Sequence, residues 1–88
     1  MARYLIETPH GGDECLKVMD SMAAQGTDVL NKFEWACPSG EHKGFAIVDA
    51  GSEEEACQML PSELRGTARC IALEKFRPEQ IRTFHTQG

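Results

Sequence analysis

Lys32-Phe33-Glu34-Trp35-Ala36-Cys37-Pro38-Ser39-Gly40-Glu41-His42-Lys43-Gly44-Phe45-Ala46-Ile47-Val48-Asp49 lies at the middle of the chain. Its reading decides the fold class. Phe33, Trp35 and Cys37 fall on one side and Lys32, Glu34 and Ala36 on the other, the period of a strand with one buried face. That strand is placed over residues 30–37. Pro38-Ser39-Gly40-Glu41 breaks the pattern with turn formers. Residues 43–49, mostly small and β-branched, read as the returning strand. The chain therefore has a β-hairpin at its centre, and the flanking elements must be fitted around it.

On the N-terminal side, residues 3–7 read as a short strand, with Tyr4 and Ile6 on one face and Arg3, Leu5 and Glu7 on the other. Thr8-Pro9-His10-Gly11-Gly12 is a break. Cys15, Leu16, Met19, Met22 and Ala23 then recur at three- and four-residue spacing, which predicts a helix over 13–25 stopped by Gly26. On the C-terminal side, Ser52-Glu53-Glu54-Glu55 has the form of a capping box, with acids facing the helix dipole. Its helix runs to about Leu60, where Pro61 ends it. Residues 67–75 read as a fourth strand, and Pro78 opens a short helix to about Phe84 whose apolar contacts are Ile81 and Phe84.

The order β-α-β-β-α-β plus a tail helix is the split βαβ, ferredoxin-like pattern of an α+β domain. It predicts a single domain over 1–88, a four-stranded antiparallel sheet, and both main helices on one face. The other face would carry some of Tyr4, Phe33, Trp35, Phe45 and Ile47, or their alternates. An uncovered apolar sheet face marks an interface, so the expected partner is a second copy, two sheets packed face to face as a homodimeric α+β barrel.

Composition narrows the functions. The chain has 88 residues, 9 Lys plus Arg against 14 Asp plus Glu, and a net charge of −5. With no basic block it would repel a phosphate backbone, which argues against nucleic acid as partner. Its apolar runs are far below the ~20 residues of a membrane span. The start Met1-Ala2-Arg3-Tyr4-Leu5-Ile6-Glu7 lacks the shape of a signal peptide, and the expectation is a cytoplasmic protein. In an oxidising compartment Cys15, Cys37, Cys57 and Cys70 would allow two disulfides in any of three connectivities; without an export signal they are expected as free thiols, with Cys57 and Cys70 as small core residues. Met19, Met22 and Met59 sit at core spacing, Glu53-Glu54-Glu55 is a capped and solvated first turn, and His85 is a surface residue. Gly11-Gly12 belongs to no phosphate-loop pattern.

In the predicted topology the end of strand 1, the start of the first helix, the hairpin and the start of strand 4 meet at one end of the molecule. That end collects His10, Cys15, Cys37 and His42, and the segments carrying Arg65 and Arg69 lead to it. Imidazole and thiolate are borderline-to-soft ligands that suit a transition metal such as zinc, nickel or copper. His10, Cys37 and His42 make a three-ligand set with an open position, Cys15 would complete it, and Glu41 is a spare carboxylate. Cys37-x4-His42 across a hairpin is compatible with two ligands on one ion, although no C-x2-C accompanies it.

Other readings use the same residues. A cysteine beside His10 or His42 would form a thiolate–imidazolium pair, for which no orienting third residue is evident. In a pocket between sheet and helices, His10 or His42 would be a general base and Arg65 or Arg69 an anion contact for a small acidic ligand, as in a cofactor-free enzyme. A plain structural account is also open, with Cys15 and Cys37 in the core, His10 bonded to a turn carbonyl and His42 in solvent. That account describes a dimeric interaction module without a site.

Arg3-Tyr4-Leu5-Ile6-Glu7-Thr8-Pro9-His10, the block Gly40-Glu41-His42-Lys43-Gly44-Phe45-Ala46-Ile47-Val48, Met59-Leu60-Pro61 and Lys75-Phe76-Arg77-Pro78-Glu79-Gln80-Ile81, with His85 close behind, together resemble a family of small prokaryotic proteins. That family belongs to the ferredoxin-like, dimeric α+β-barrel superfamily, and the resemblance covers nearly the whole chain. It implies the fold and a dimer more than an activity. The wider superfamily includes a nickel-binding small protein, cofactor-free monooxygenases and muconolactone-type isomerases. Carried onto this sequence, it points to His10 and the Cys37–His42 pair as the site. A haem-degrading member would need a proximal histidine on a helix facing a large pocket, which this sequence lacks.

Overall fold

The structure is a computed structural model that describes residues 1–87. Strand β1 (Ala2–Pro9) is central. It pairs antiparallel with β3 (Lys43–Ala50) on one side and with β4 (Arg69–Leu73) on the other. A short β2 (Glu34–Trp35) completes an open sheet of order β2-β3-β1-β4. Five helices accompany it among the described residues: α1 (Cys15–Gln25), α2 (Thr27–Lys32), α3 (Glu53–Cys57), α4 (Ser62–Arg65) and α5 (Pro78–Gln87). None is long and apolar enough to cross a membrane.

The alternation of β1 sets the two faces of the sheet. Tyr4, Ile6 and Thr8 are buried, while Leu5 and Glu7 point the other way. Ile6 sits opposite Ala46 and Cys70, and Tyr4 opposite Val48 and Ala72. Over this inner face lie Val18 and Met22 of α1, Ala56 of α3, and Leu60, making one core. Ile6, Met22 and Leu60 are its fully enclosed large side chains. The helix expected over 13–25 appears as α1, entered two residues late and rolled from the expected stripe: Val18 and Met22 are buried, while Leu16 and Ala23 are exposed. The opposite face is left open and carries Leu5, Phe45, Ile47, Ile71 and Leu73. Of the residues expected there, only Phe45 and Ile47 arrive. Tyr4 and Phe33 are in the core, and Trp35 packs partly buried against it.

The strand expected over 30–37 is the main departure. Residues 27–32 form α2 instead, separated from α1 by Gly26 at φ 144°. Asp28 in its first turn and Lys32 in its last suit the helix dipole, and Val29 and Leu30 pack on the core. The strand alternation holds only from Phe33 onward. Glu34 and Trp35 pair with Phe45 and Gly44, and the Ala36 N–H donates to the Lys43 carbonyl at 3.0 Å. The hairpin then turns through a 3-10 segment, Cys37–Ser39, and Gly40 at φ 94°. A left-handed residue is required there, and glycine adopts it without penalty.

Ser52 caps α3 as expected: its Oγ accepts the Glu55 N–H at 3.1 Å, and the Glu55 carboxylate accepts the Gly51 N–H at 3.1 Å. The helix ends at Cys57 rather than near Leu60. Packing α3 over β4 brings the Cα atoms of Cys57 and Cys70 to 6.2 Å, and a disulfide joins them. That spacing suits a disulfide, and the expectation of four free thiols is corrected for this pair. Among the described residues Cys15 and Cys37 are the free cysteines. A structural disulfide is typical of oxidising compartments, against the reduced thiols that the cytoplasmic expectation implied.

Candidate metal centre

His10 follows β1 directly. Its backbone N–H donates to the His42 carbonyl at 3.0 Å, which ties the loop after β1 to the segment entering β3. Its ring Nδ1–H donates to the Thr8 carbonyl at 3.1 Å. A carbonyl can only accept, so in the neutral imidazole Nδ1 carries the proton and Nε2 the lone pair. That lone pair faces two sulfurs: Nε2 is 3.2 Å from Cys15 Sγ and 3.3 Å from Cys37 Sγ.

Cys15 is the first residue of α1, on the end that faces the loop after β1. Cys37 opens the 3-10 turn of the hairpin. His42 precedes β3, and its Nδ1 stands 3.3 Å from Cys15 Sγ. One ligand atom from each of the four residues lies within 4.8 Å of every other. Around an ion bound at about 2.0–2.3 Å, tetrahedral ligand atoms are about 3.3–3.8 Å apart. Two of the contacts already match that spacing, the His10–Cys15 contact is shorter by about 0.1 Å, and the widest separation needs to close by about 1 Å.

The electrostatics of the sulfurs favour a cation between them. Desolvation, then the adjacent Cys37 thiol, push the Cys15 thiol above its ordinary value. Two thiolates side by side repel each other, and a metal ion removes that penalty while displacing both protons. His10, Cys15 and Cys37 are half-buried and His42 is exposed, so the group is reachable from solvent. Trp35 flanks the inner side, its ring centroid 6.1 Å from that of His10.

Two supporting residues had no signal in the sequence. Thr8 orients His10 through its carbonyl, which any residue type would supply. Gly12 sits against the His42 ring: a Cβ there would be 3.0 Å from Nε2 and 3.4 Å from Cε1. The sequence marks Gly12 as a chain break, not as the residue that makes room for a histidine. Glu41, the spare carboxylate, is not among the clustered side chains.

The two arginines are placed differently. Arg65 donates from Nε to the Leu60 carbonyl at 3.0 Å and from Nη2 to the Gln58 carbonyl at 3.1 Å, closing the turn after α3. Arg69 opens β4 opposite Glu7, exposed to solvent. Neither lines either of two surface cavities, one of about 340 Å³ on the open sheet face and one of about 260 Å³ beside α1 and α4. His85 is exposed on α5. Comparison with family models, with curated proteins and with solved structures finds no match to this chain.

Proposed function

We propose that this chain is a small transition-metal-binding protein and that His10, Cys15, Cys37 and His42 are its ligands. The observation that carries the reading is the convergence of two imidazoles and two free thiols from separate segments within 4.8 Å, with Nδ1 of His10 already bonded to a carbonyl. A backbone carbonyl on the second ring nitrogen is the usual support of a metal-bound histidine. A tetrahedral set of two nitrogens and two sulfurs suits Zn²⁺ best. Copper would compete by intrinsic affinity, and nickel prefers flatter geometry. Four protein ligands saturate such an ion, which fits holding or delivering a metal better than hydrolysis at an open position. The strand order β2-β3-β1-β4, with helices between β1 and β2 and between β3 and β4, supports a ferredoxin-like reading of the fold.

The test is elemental analysis of protein purified without chelator, followed by Co²⁺ loading. The expected result is one metal per chain and the visible absorption of tetrahedral, thiolate-bound cobalt. Both should be lost in Cys15→Ser/Cys37→Ser with the far-ultraviolet circular dichroism unchanged. Wild-type protein that holds no zinc and shows no cobalt spectrum under reducing conditions would overturn the reading.

A further inference from the structure

The chain leaves two apolar surfaces without a partner. One is the open sheet face, where Leu5, Phe45 and Ile47 border the 340 Å³ depression and Ile47 is 53% exposed. The other is the arm after β4. Phe76, Ile81 and Phe84 are 52%, 46% and 52% exposed, and Phe76 meets Phe84 edge-on at 5.4 Å, which makes one continuous apolar stripe. Among the described residues α5 has no extended packing against any other element. Its start is well made: the Gln80 side chain accepts the Arg77 N–H at 2.9 Å, and Arg77 pairs with Glu79 at 2.9 Å. A ten-residue helix in water is still marginal without a surface to lie on.

The dimensions indicate how much surface is missing. The radius of gyration is 15.7 Å, against about 12 Å for a compact chain of this length. The accessible area is 6034 Å², against about 5,100 Å² for a compact monomer of 9.7 kDa. The excess of about 900 Å² is close to the ~800 Å² that each partner contributes to an ordinary stable interface. A helix with an apolar stripe and a sheet face with an apolar depression are complementary, and every copy of the chain carries both.

We propose that two copies pair about a two-fold axis, with the α5 arm of each laid across the open sheet face of the other. The interface is isologous, as two-fold exchange of an identical segment requires. Ile81 and Phe84 fill the surface bordered by Leu5, Phe45 and Ile47. The arm thereby gains the support that its length demands. The pairing uses none of the His/Cys residues and stands independently of the metal reading.

The test is the solution mass of the full-length chain by light scattering at tens of micromolar, with and without metal. The expected mass is twice 9.7 kDa in both conditions. Ile81→Glu/Phe84→Glu on the arm, and separately Ile47→Lys on the sheet face, should each halve it while far-ultraviolet circular dichroism shows a folded chain. A wild-type chain of single mass means that the arm folds back on its own sheet or stays free, and overturns the proposal. So does a dimer that survives the arm variant, since the sheets then pair without it, or one that survives Ile47→Lys, since the arm then covers something else.

Discussion

At His10 the Thr8 carbonyl decides which ring nitrogen is free, and the free one faces Cys15 and Cys37. The plain account of His10 as a turn-bonding histidine is therefore right about Nδ1 and silent about Nε2. The meeting of His10, Cys37 and His42 is legible in the sequence, because antiparallel strands 1 and 3 bring position 10 beside position 42. Cys15 is harder to place, since its spacing on the α1 stripe suits the core equally well. Gly12 is illegible, because its role depends on the path of the loop past the His42 ring. Gly12→Ala is expected to displace that ring and weaken zinc binding by about 10–100-fold, read by competition with a chromophoric chelator. The raised Cys15 thiol gives a direction with pH. The apo thiol keeps its proton to higher pH than an ordinary cysteine, so metal must displace that proton at neutrality. Affinity is expected to rise with pH up to and beyond the ordinary thiol range, and binding at pH 7 to release protons measurable by calorimetry in buffers of different ionisation enthalpy.

Among the elements, β1, β3 and the Ser52 cap follow from local pattern, and α1 from its length and its Gly26 stop, but its buried face is Val18 and Met22 rather than the Leu16 and Ala23 that the spacing selected. Residues 30–32 do not follow from local pattern, since strand alternation would carry Leu30 onto the same outward face as Lys32, whereas a helix turns Leu30 inward and leaves Lys32 outside. The packing of Val29 and Leu30 on the core selects the helix. The Cys57–Cys70 link was also hidden, since it depends on how α3 crosses β4. Replacing both cysteines with alanine is expected to cost about 2–4 kcal/mol in urea unfolding while leaving zinc stoichiometry intact. Gly44 marks the closest approach within the hairpin: a Cβ there would lie 2.7 Å from the Trp35 ring and 2.8 Å from Thr8 Oγ1. Gly44→Ala is expected to destabilise by about 1–3 kcal/mol through that clash. It should also disturb Trp35 fluorescence.

For the molecule as a whole, the α+β class and the uncovered sheet face follow from counting strands and helices: two main helices cover one side of four strands, and one side remains. The projection of α5 could not be read in the same way, because Ile81 and Phe84 mark an apolar helix face without saying which surface meets it. The cross-links have a further consequence for the denatured chain. The disulfide closes a loop from residue 57 to 70, and an ion at the His/Cys group would close another from residue 10 to 42. The loops are sequential and share no residue, so each restricts a different stretch of the random coil. Reductant and chelator are then expected to lower the unfolding free energy by amounts that add to within about 0.5 kcal/mol. In polymer terms the molecule is two rings in series. Opening one leaves the other, and the stretch of chain it spans, still confined.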